Sequence, residues 1–378
     1  MDAARISPPE GTTDATIGQV RANLQSQKDS WQVCGHKELP MSGELDVQEL
    51  AARATTSAQQ WAPGCRVDEI TFLPGGTVSI VFTGRVLGGP AGVDTVVLKV
   101  APPGLEPRRN RDVLRQARCI DALGRVAGVP VPQVLFTDPG EPVEVPPFFA
   151  TPMLAGECVE PLLVASRSPV APDVARSRAF AAVDVLAAIR KASPGAIGLG
   201  DEPVTTPADE VRRWVRTFQT VPDEFRVGYQ PAADALLASA PELLGPAVIH
   251  GDYRLGNMLC DGTTITGIID WELWTISDPR IDLSWLLFFT DEADHPSAQP
   301  GVSSGMPSRD ELLAAYEKAV GEPTNDLAWF DALTYFKEAS ATALIAKLAR
   351  RRNPAGPHVI PPSFCTGLVQ RAMSIVGS

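Results

Sequence analysis

Over residues 248–259 the chain reads VIHGDYRLGNML, which sets His250, Asp252, Arg254 and Asn257 close together and brackets them with apolar positions. Thirteen positions beyond Asn257, the run ITGIIDWELW adds two carboxylates, Asp270 and Glu272. If the two segments pair as a hairpin, three oxygen-bearing side chains, Asp252, Asn257 and Asp270, come near one point. Hard oxygen ligands in small number suit Mg2+, which keeps several waters and shares its coordination with substrate phosphates. Asn257 and Asp270 would then hold metal, and Asp252 would stay free to accept a proton from an attacking hydroxyl.

Phosphoryl transfer also asks for a cation over the phosphates and for donors around them. Lys99, in TVVLKVA, is flanked by Leu98 and Val100 and belongs on a strand. Before it, LPGGTVSIVF supplies Gly75 and Gly76 for a tight turn that brings backbone N–H groups to phosphate oxygens, with Thr77 and Ser79 as hydroxyl donors. Each feature also has a plainer reading. A Gly-Gly turn is ordinarily a hairpin, and a strand lysine ordinarily a solvated edge residue. His250 reads better as a structural histidine bonded to backbone than as an acid or base. Asp270 and Glu272, one residue apart on a strand, would point to opposite faces, so at most one reaches a metal. Glycines, lysine, H-G-D-x-x-x-x-N and I-I-D in that order carry more weight than any one of them.

The elements that must position these groups fall into two sets. Residues 45–154 open with a helix-like LDVQELAARATTSAQQW and continue in short β-like runs, VDEITFLPGG, TVSIVFTGRV and DTVVLKVA, joined by Gly-rich turns; one helix over residues 110–127 is followed by VPVPQVLFTD and PPFFATPML. This predicts an antiparallel sheet lobe for nucleotide. Residues 155–378 turn to long helical patterns, among them DVARSRAFAAVDVLAAIRKA, TPADEVRRWVRTFQTV and LAWFDALTYFKEASATALIAKLARRR, which predict a larger helical lobe; because Asp252, Asn257 and Asp270 lie in it, catalysis and acceptor binding are expected there. The class is α+β, bilobal, with a cleft between the lobes. Residues 1–44 lack apolar periodicity and read as a disordered leader, with Met41 a candidate start.

Composition narrows the partners. A net charge of −12 argues against nucleic acid, whose phosphates demand clustered Lys and Arg. The six cysteines lie far apart without C-x-x-C pairing and read as reduced thiols; Cys34 and His36 fall short of a structural metal site. With no secretory pattern at the start and no run long enough to span a membrane, cytoplasmic residence is the expectation. Oligomeric state is left open.

HGDYRLGN, IIDWE and DPRIDLSWL resemble the aminoglycoside phosphotransferase and choline kinase family, which has the protein-kinase-like bilobal fold; the resemblance covers about residues 65–350. It is most similar to the branch with the kinase-like domains of acyl-CoA dehydrogenase family members ten and eleven. The resemblance implies transfer of a γ-phosphate from ATP, or another nucleoside triphosphate, to a hydroxyl of a small molecule. It implies Asp252 as catalytic base, Asn257 and Asp270 on Mg2+, Lys99 on nucleotide phosphates, and Asp282 bracing the catalytic loop from beneath. An N-cap for a helix starting near Leu283 is the plainer role for Asp282. One departure stands out: where the family pairs its lysine with a helix glutamate, this chain has Gln116, an amide without charge. Glu106 or Asp112 are alternative partners. For the acceptor, Arg212, Arg213 and Arg216 would suit an anionic compound such as a hydroxyacyl-CoA ester; Asp201, Glu202, Asp209 and Glu210 would suit an aminoglycoside-like amino sugar. A nucleotide-binding pseudokinase without turnover is the rival reading, and a metal-dependent hydrolase using His250, Asp252 and Asp270, helped by His295 or His358, the weakest.

Overall fold

The structure, a computed structural model, describes residues 45–74, 78–164, 170–292, 295–298, 301–352 and 360–377. Gly75, Gly76 and Thr77 of the expected phosphate turn lie outside the described residues, as do His358, Cys34 and residues 1–44 with the expected leader.

Alternation along the first strands does what it predicts. In β2 (Ile80–Leu87) and β3 (Thr95–Val100) every second residue is buried, Ile80, Phe82, Val86, Val96, Leu98 and Val100 among them. With β1 (Arg66–Phe72), β4 (Phe136–Asp138) and β5 (Phe148–Pro152) they form an antiparallel sheet in the order β1-β2-β3-β5-β4. Its apolar residues share a core with Leu50, Ala54 and Ala58 of α1 (Val47–Trp61), whose N-cap Asp46 accepts from two backbone N–H groups. Lys99 sits opposite Val81 and Phe149, out of phase with the buried Leu98 and Val100.

The helix expected over 110–127 is shorter, α2 (Val113–Leu123). Asp112 caps it by accepting from Arg115 N–H at 2.9 Å, so Asp112 is engaged at the helix end rather than with Lys99. The apolar face of α2 joins the core of the second lobe rather than the core under the sheet.

That second core is built by α3 (Pro172–Lys191), α4 (Pro207–Phe218), α5 (Tyr229–Ala238), α6 (Arg280–Phe288), α7 (Arg309–Val320), α8 (Leu327–Arg352) and α9 (Pro362–Val376). Capping boxes at Thr206/Asp209 and Ser308/Glu311 start α4 and α7. Every residue of α6 is buried, the mark of a central helix. The helix α9, rich in Ser, Thr, Gly and β-branched residues, is held by packing on α8 rather than by propensity. Among the described residues no helix is long and apolar enough to cross a membrane. All five described cysteines are buried free thiols.

Two ribbons lie between sheet and helices: β6 (Ala247–Ile249) with β9 (Thr275–Ser277), and the hairpin β7 (Met258–Asp261) with β8 (Thr264–Ile268). The link between lobes is stitched to that hairpin. Glu157 and Cys260 exchange backbone hydrogen bonds at 2.9 Å each, Thr266 Oγ1 donates to Ala155 O at 2.7 Å, and Arg178 ties Glu157 (3.0 Å) to Gly262 O (2.7 Å). Gly156 permits the approach: its φ is +125°, and a Cβ there would stand 2.9 Å from Cys260 backbone atoms. Gly156→Ala is therefore expected to lower stability by about 2 kcal/mol or more, measured as a shift in urea midpoint at unchanged slope.

Candidate active site

Between β6 and β7 the loop HGDYRLGN has neither ladder nor helix for its first N–H groups. Asp282, in the first turn of α6, takes their place: Oδ2 accepts from His250 N–H at 2.5 Å and Oδ1 from Gly251 N–H at 2.9 Å. Because α6 starts at Arg280, Asp282 is not the N-cap that its sequence also allowed. Burial pushes its carboxyl above the usual range, against the pull of the two N–H donors and the Lys337 ammonium. Gly251 has φ +83°, and a Cβ there would lie 2.8 Å from Leu273 Cβ. His250 is fully engaged: Nδ1 accepts from Asp252 N–H at 3.1 Å and Nε2 donates to Ile269 O at 2.8 Å, one neutral tautomer serving both. Its ring lies 4.6 Å from that of Trp271. Neither ring nitrogen is left for a metal, which removes the hydrolase reading's first ligand.

The loop delivers Asp252. Its Oδ1 accepts from Trp285 Nε1 at 2.7 Å and Arg254 Nε at 3.1 Å, and its Oδ2 from Asn257 Nδ2 at 2.7 Å. Three donors from three directions fix the carboxylate plane. Asn257 Nδ2 also donates to Asp252 O at 2.9 Å, so the amide nitrogen is spent on Asp252 and its oxygen is the atom on offer to a cation. Asn257 O accepts from Ile269 N–H at 3.0 Å across the end of the β7–β8 hairpin, and Asp270 follows directly.

The strand stops there. Asp270 is left-handed, φ 65° and ψ 49°, and residues Trp271–Leu273 form a 3-10 turn. The expectation that Asp270 and Glu272 alternate across a strand is thus corrected: the chain leaves extended geometry before either residue. Asp270 Oδ1 accepts from Lys99 Nζ at 2.9 Å, bridging the lobes. Burial opposes ionisation of Asp270, yet Lys99 outweighs it and holds the carboxyl below its ordinary range; burial likewise opposes the Lys99 ammonium, and Asp270 with Glu272 raises it overall. The Asp270 side chain keeps 40 % of its surface exposed, so a cation can reach it. One neutral and one anionic hard oxygen at adjacent corners of a hairpin are a donor set that fits Mg2+, the remaining positions falling to water and phosphate.

Of the other expected residues, Ser79 is buried with a hydroxyl that has no hydrogen-bond partner, beside the undescribed turn. Gln116 does not serve Lys99. Its Nε2 donates to Asn110 O at 2.9 Å and its Oε1 is buried without a partner, while Lys99 takes a charged partner from the second lobe instead. Arg212 and Arg213 pair with Asp209 (2.9 Å) and Glu210 (3.5 Å) one turn back, and Glu202 and Asp201 pair with Arg115 and Arg118. These pairs answer all four acids and two of the three arginines, leaving Arg216 exposed on α4.

Three residues escaped the sequence reading. Trp285 is three positions past Asp282 on α6, the spacing that puts both on one face toward the loop. Glu160 accepts from Gly256 N–H at 3.0 Å and lies 3.6 Å from Arg254; burial lifts its carboxyl to about 7. Lys337, one lysine among many in a long helical pattern, is buried with Nζ donating to Gly251 O at 2.5 Å and lying 3.4 Å over the Trp285 ring. Burial lowers it to about 8 against the carboxylates of Asp252, Asp282 and Glu210. No sequence pattern distinguishes such a lysine from a solvated one.

Comparison with known proteins bears on the family and the fold. The model of a family described as "Phosphotransferase enzyme family" matches residues 83–333. Acyl-CoA dehydrogenase family member 11 of Homo sapiens is 26% identical over 260 residues, 66% of this chain and 33% of that protein. The chain thus spans about a third of the length of the curated relatives it matches. A crystal structure of a candidate aminoglycoside phosphotransferase from Ralstonia eutropha superposes with a TM-score of 0.64 at 22% identity, covering 88% of this chain and 96% of that one. An aminoglycoside phosphotransferase in ternary complex with ADP and hygromycin B gives 0.51 at 16% identity, covering 88% and 98%. The bilobal architecture is that of these kinases.

His295, the other rival metal ligand, is buried with its ring 4.4 Å from Phe288 and 5.2 Å from Phe289, and desolvation drops it to about 4. A histidine depressed in the folded state contributes stability that is whole above pH 6.5 and lost as pH falls through about 4. Denaturant unfolding between pH 7 and pH 4 should therefore show an acid loss on the order of 3 kcal/mol that His295→Phe removes. Parallel slopes for the two proteins would contradict this.

Proposed function

Because the chain belongs to the phosphotransferase enzyme family, we propose that it moves the γ-phosphate of ATP, or another nucleoside triphosphate, to a hydroxyl of a small molecule. The observation that carries this reading is the convergence of Asp252, held by Trp285, Arg254 and Asn257, with the Lys99–Asp270 pair across the lobes. The structural neighbour solved with ADP and hygromycin B supports both halves of it, nucleotide and hydroxylated acceptor.

In this reading Asp252 accepts a hydrogen bond from the acceptor hydroxyl and orients an oxygen lone pair toward the γ-phosphorus. The new P–O bond forms as the bond to the β-phosphate oxygen breaks, the departing pair stays on the nucleoside diphosphate, and the hydroxyl proton passes late to the Asp252 carboxylate. Orientation is the larger part of the base's work, and the three donors on Asp252 supply it. Mg2+ on Asn257 and Asp270 would neutralise phosphate charge. Lys99, carried by the sheet and bonded to Asp270, would add a second cation beside it, and the unpartnered Ser79 hydroxyl would add a donor on the nucleotide side. Asp282 and His250 hold the loop backbone without touching substrate. The acceptor is a hydroxylated compound, aminoglycoside-like or hydroxyacyl. Binding without turnover is the second reading; the uncharged Gln116 favours it, and the ionised Asp270 beside Lys99 weighs against it.

Purified chain with ATP, Mg2+ and a panel of alcohols and amino sugars should release ADP and yield a product heavier by one phosphate. Asp252→Asn should lower kcat by about 100-fold or more while sparing nucleotide affinity. Asp270→Ala should abolish Mg2+-supported turnover. Small, equal effects from both, or nucleotide-dependent thermal stabilisation with no turnover on any acceptor, would defeat the assignment.

A further inference from the structure

Helix α2 belongs by sequence to the sheet lobe, but Val113, Ala117, Ile120 and Leu123 bury its apolar face in the core of the helical lobe. It packs directly on the 3-10 turn Trp271–Leu273 that follows Asp270. From its surface, Arg115 and Arg118, one turn apart, reach across. Arg115 donates through Nε at 2.9 Å and Nη2 at 2.8 Å to Glu202 Oε2, and through Nη1 at 3.2 Å to Trp274 O, while its guanidinium carbon lies 3.9 Å over the Trp274 ring. Arg118 donates to Gly198 O at 2.8 Å and to the Asp201 carboxylate, and reaches Glu202 Oε1 at 3.5 Å. Glu202 is almost closed to solvent, with 9% of its side chain exposed, so its pairing with Arg115 is only weakly screened.

The turn from Asp270 to Trp274 is pinned at both ends. At its start, Ile269 N–H donates to Asn257 O and the Trp271 indole donates to Ile268 O at 3.0 Å. At its finish the pin is Arg115. Between them stands a left-handed aspartate, a backbone state that persists when its surroundings over-determine it. Neither Gln116 nor any other α2 side chain among the described residues is bonded to Lys99; α2 packs both on β5, the strand beside Lys99, and on the turn after Asp270, and its arginine hydrogen bonds reach the pair from the Asp270 side.

We propose that Arg115 is a positioning residue for Asp270: by gripping Trp274 and Glu202 together from α2, it fixes the turn that presents the Asp270 carboxylate to Lys99 and to a metal-bound nucleotide. The inference rests on the nucleotide and Mg2+ reading above. Planarity matters, because one guanidinium must stack on an indole and donate along two edges at once, which a lysine cannot do.

The test is calorimetric titration of ATP into the full chain over a series of Mg2+ concentrations, with melting temperature of the ligand-free proteins alongside. Arg115→Met keeps the apolar stem and removes the fork. It should raise the Mg2+ concentration needed for half-maximal enhancement of ATP binding by about tenfold or more, the scale of outer-shell substitutions, with a smaller change in metal-free ATP binding, which reports only on the Lys99 side of the pair. Arg115→Lys should behave like Arg115→Met, and Glu202→Gln should fall between it and the unaltered chain; these two carry the test if Arg115→Met fails to fold. An unchanged Mg2+ dependence, with or without a lower melting temperature, would overturn the positioning role and leave Arg115 a cross-lobe ion pair. Absence of Mg2+-dependent ATP binding in the unaltered chain is a different result, which would overturn the nucleotide reading and this inference with it.

Discussion

The buried carboxylate of Asp282 accepts two backbone N–H groups that no ladder or helix satisfies, and the geometry of the whole site follows from that. A loop carrying a reactive group needs to be irregular, yet unpaired N–H groups in an interior cost about as much as a lost hydrogen bond each. Asp282 meets the requirement from a helix that is itself fully buried and cannot shift. Three residues along, the same helix supplies the Trp285 indole to Asp252. One rigid element thus fixes both the backbone of the loop and the plane of its carboxylate.

Burying Asp282 creates a charge that must be answered, and this explains groups that look out of place in a core. Lys337 is drawn in by Asp282, Asp252 and Glu210, and it spends its ammonium on Gly251 O and the face of Trp285. Arg254 stands between Asp252 and Glu160, with Glu160 in turn accepting from Gly256 N–H. Removing one member of such a set leaves its partner buried and unpaired, which costs more than the pair is worth. The charges around Asp252 are therefore a connected set that holds the loop at Gly251, Asp252 and Gly256.

Much of this was legible in the sequence, for physical reasons that differ by residue. The alternation in TVVLKVA and VSIVF is a direct record of a half-buried sheet, so β2 and β3 and the placing of Lys99 follow from period alone. Asp252, Asn257 and Asp270 were legible because their spacing is set by a loop and a tight hairpin, both local. Long-range pairing was not. Lys337 lies eighty-odd positions from the loop it contacts, and a lysine in a helical pattern is ordinarily solvated. The left-handed turn at Asp270 was missed because IIDWE reads as a continuing β-branched strand, and what bends it is packing of Trp271 and α2 from elsewhere in the chain. The bounds of α9 were not legible, because its stabilisation lies in contact with α8, which propensity does not record.

The uncharged Gln116 changes where the coupling between lobes resides. A lysine paired with a carboxylate on α2 would tie the nucleotide cation to that helix within one lobe, and α2 could swing with the sheet. Here Lys99 is paired with Asp270 of the other lobe, while α2 is packed into that lobe's core and bolted to it through Arg115 and Arg118. The link at Gly156 and Glu157 is hydrogen-bonded to the same hairpin that ends at Asp270. Sheet, helix and link all converge on the segment from Asn257 to Trp274, so a displacement of one lobe cannot leave Asp270 where it was. The position of that one carboxylate is then a property of the joined lobes, and a helix glutamate is not required to set it.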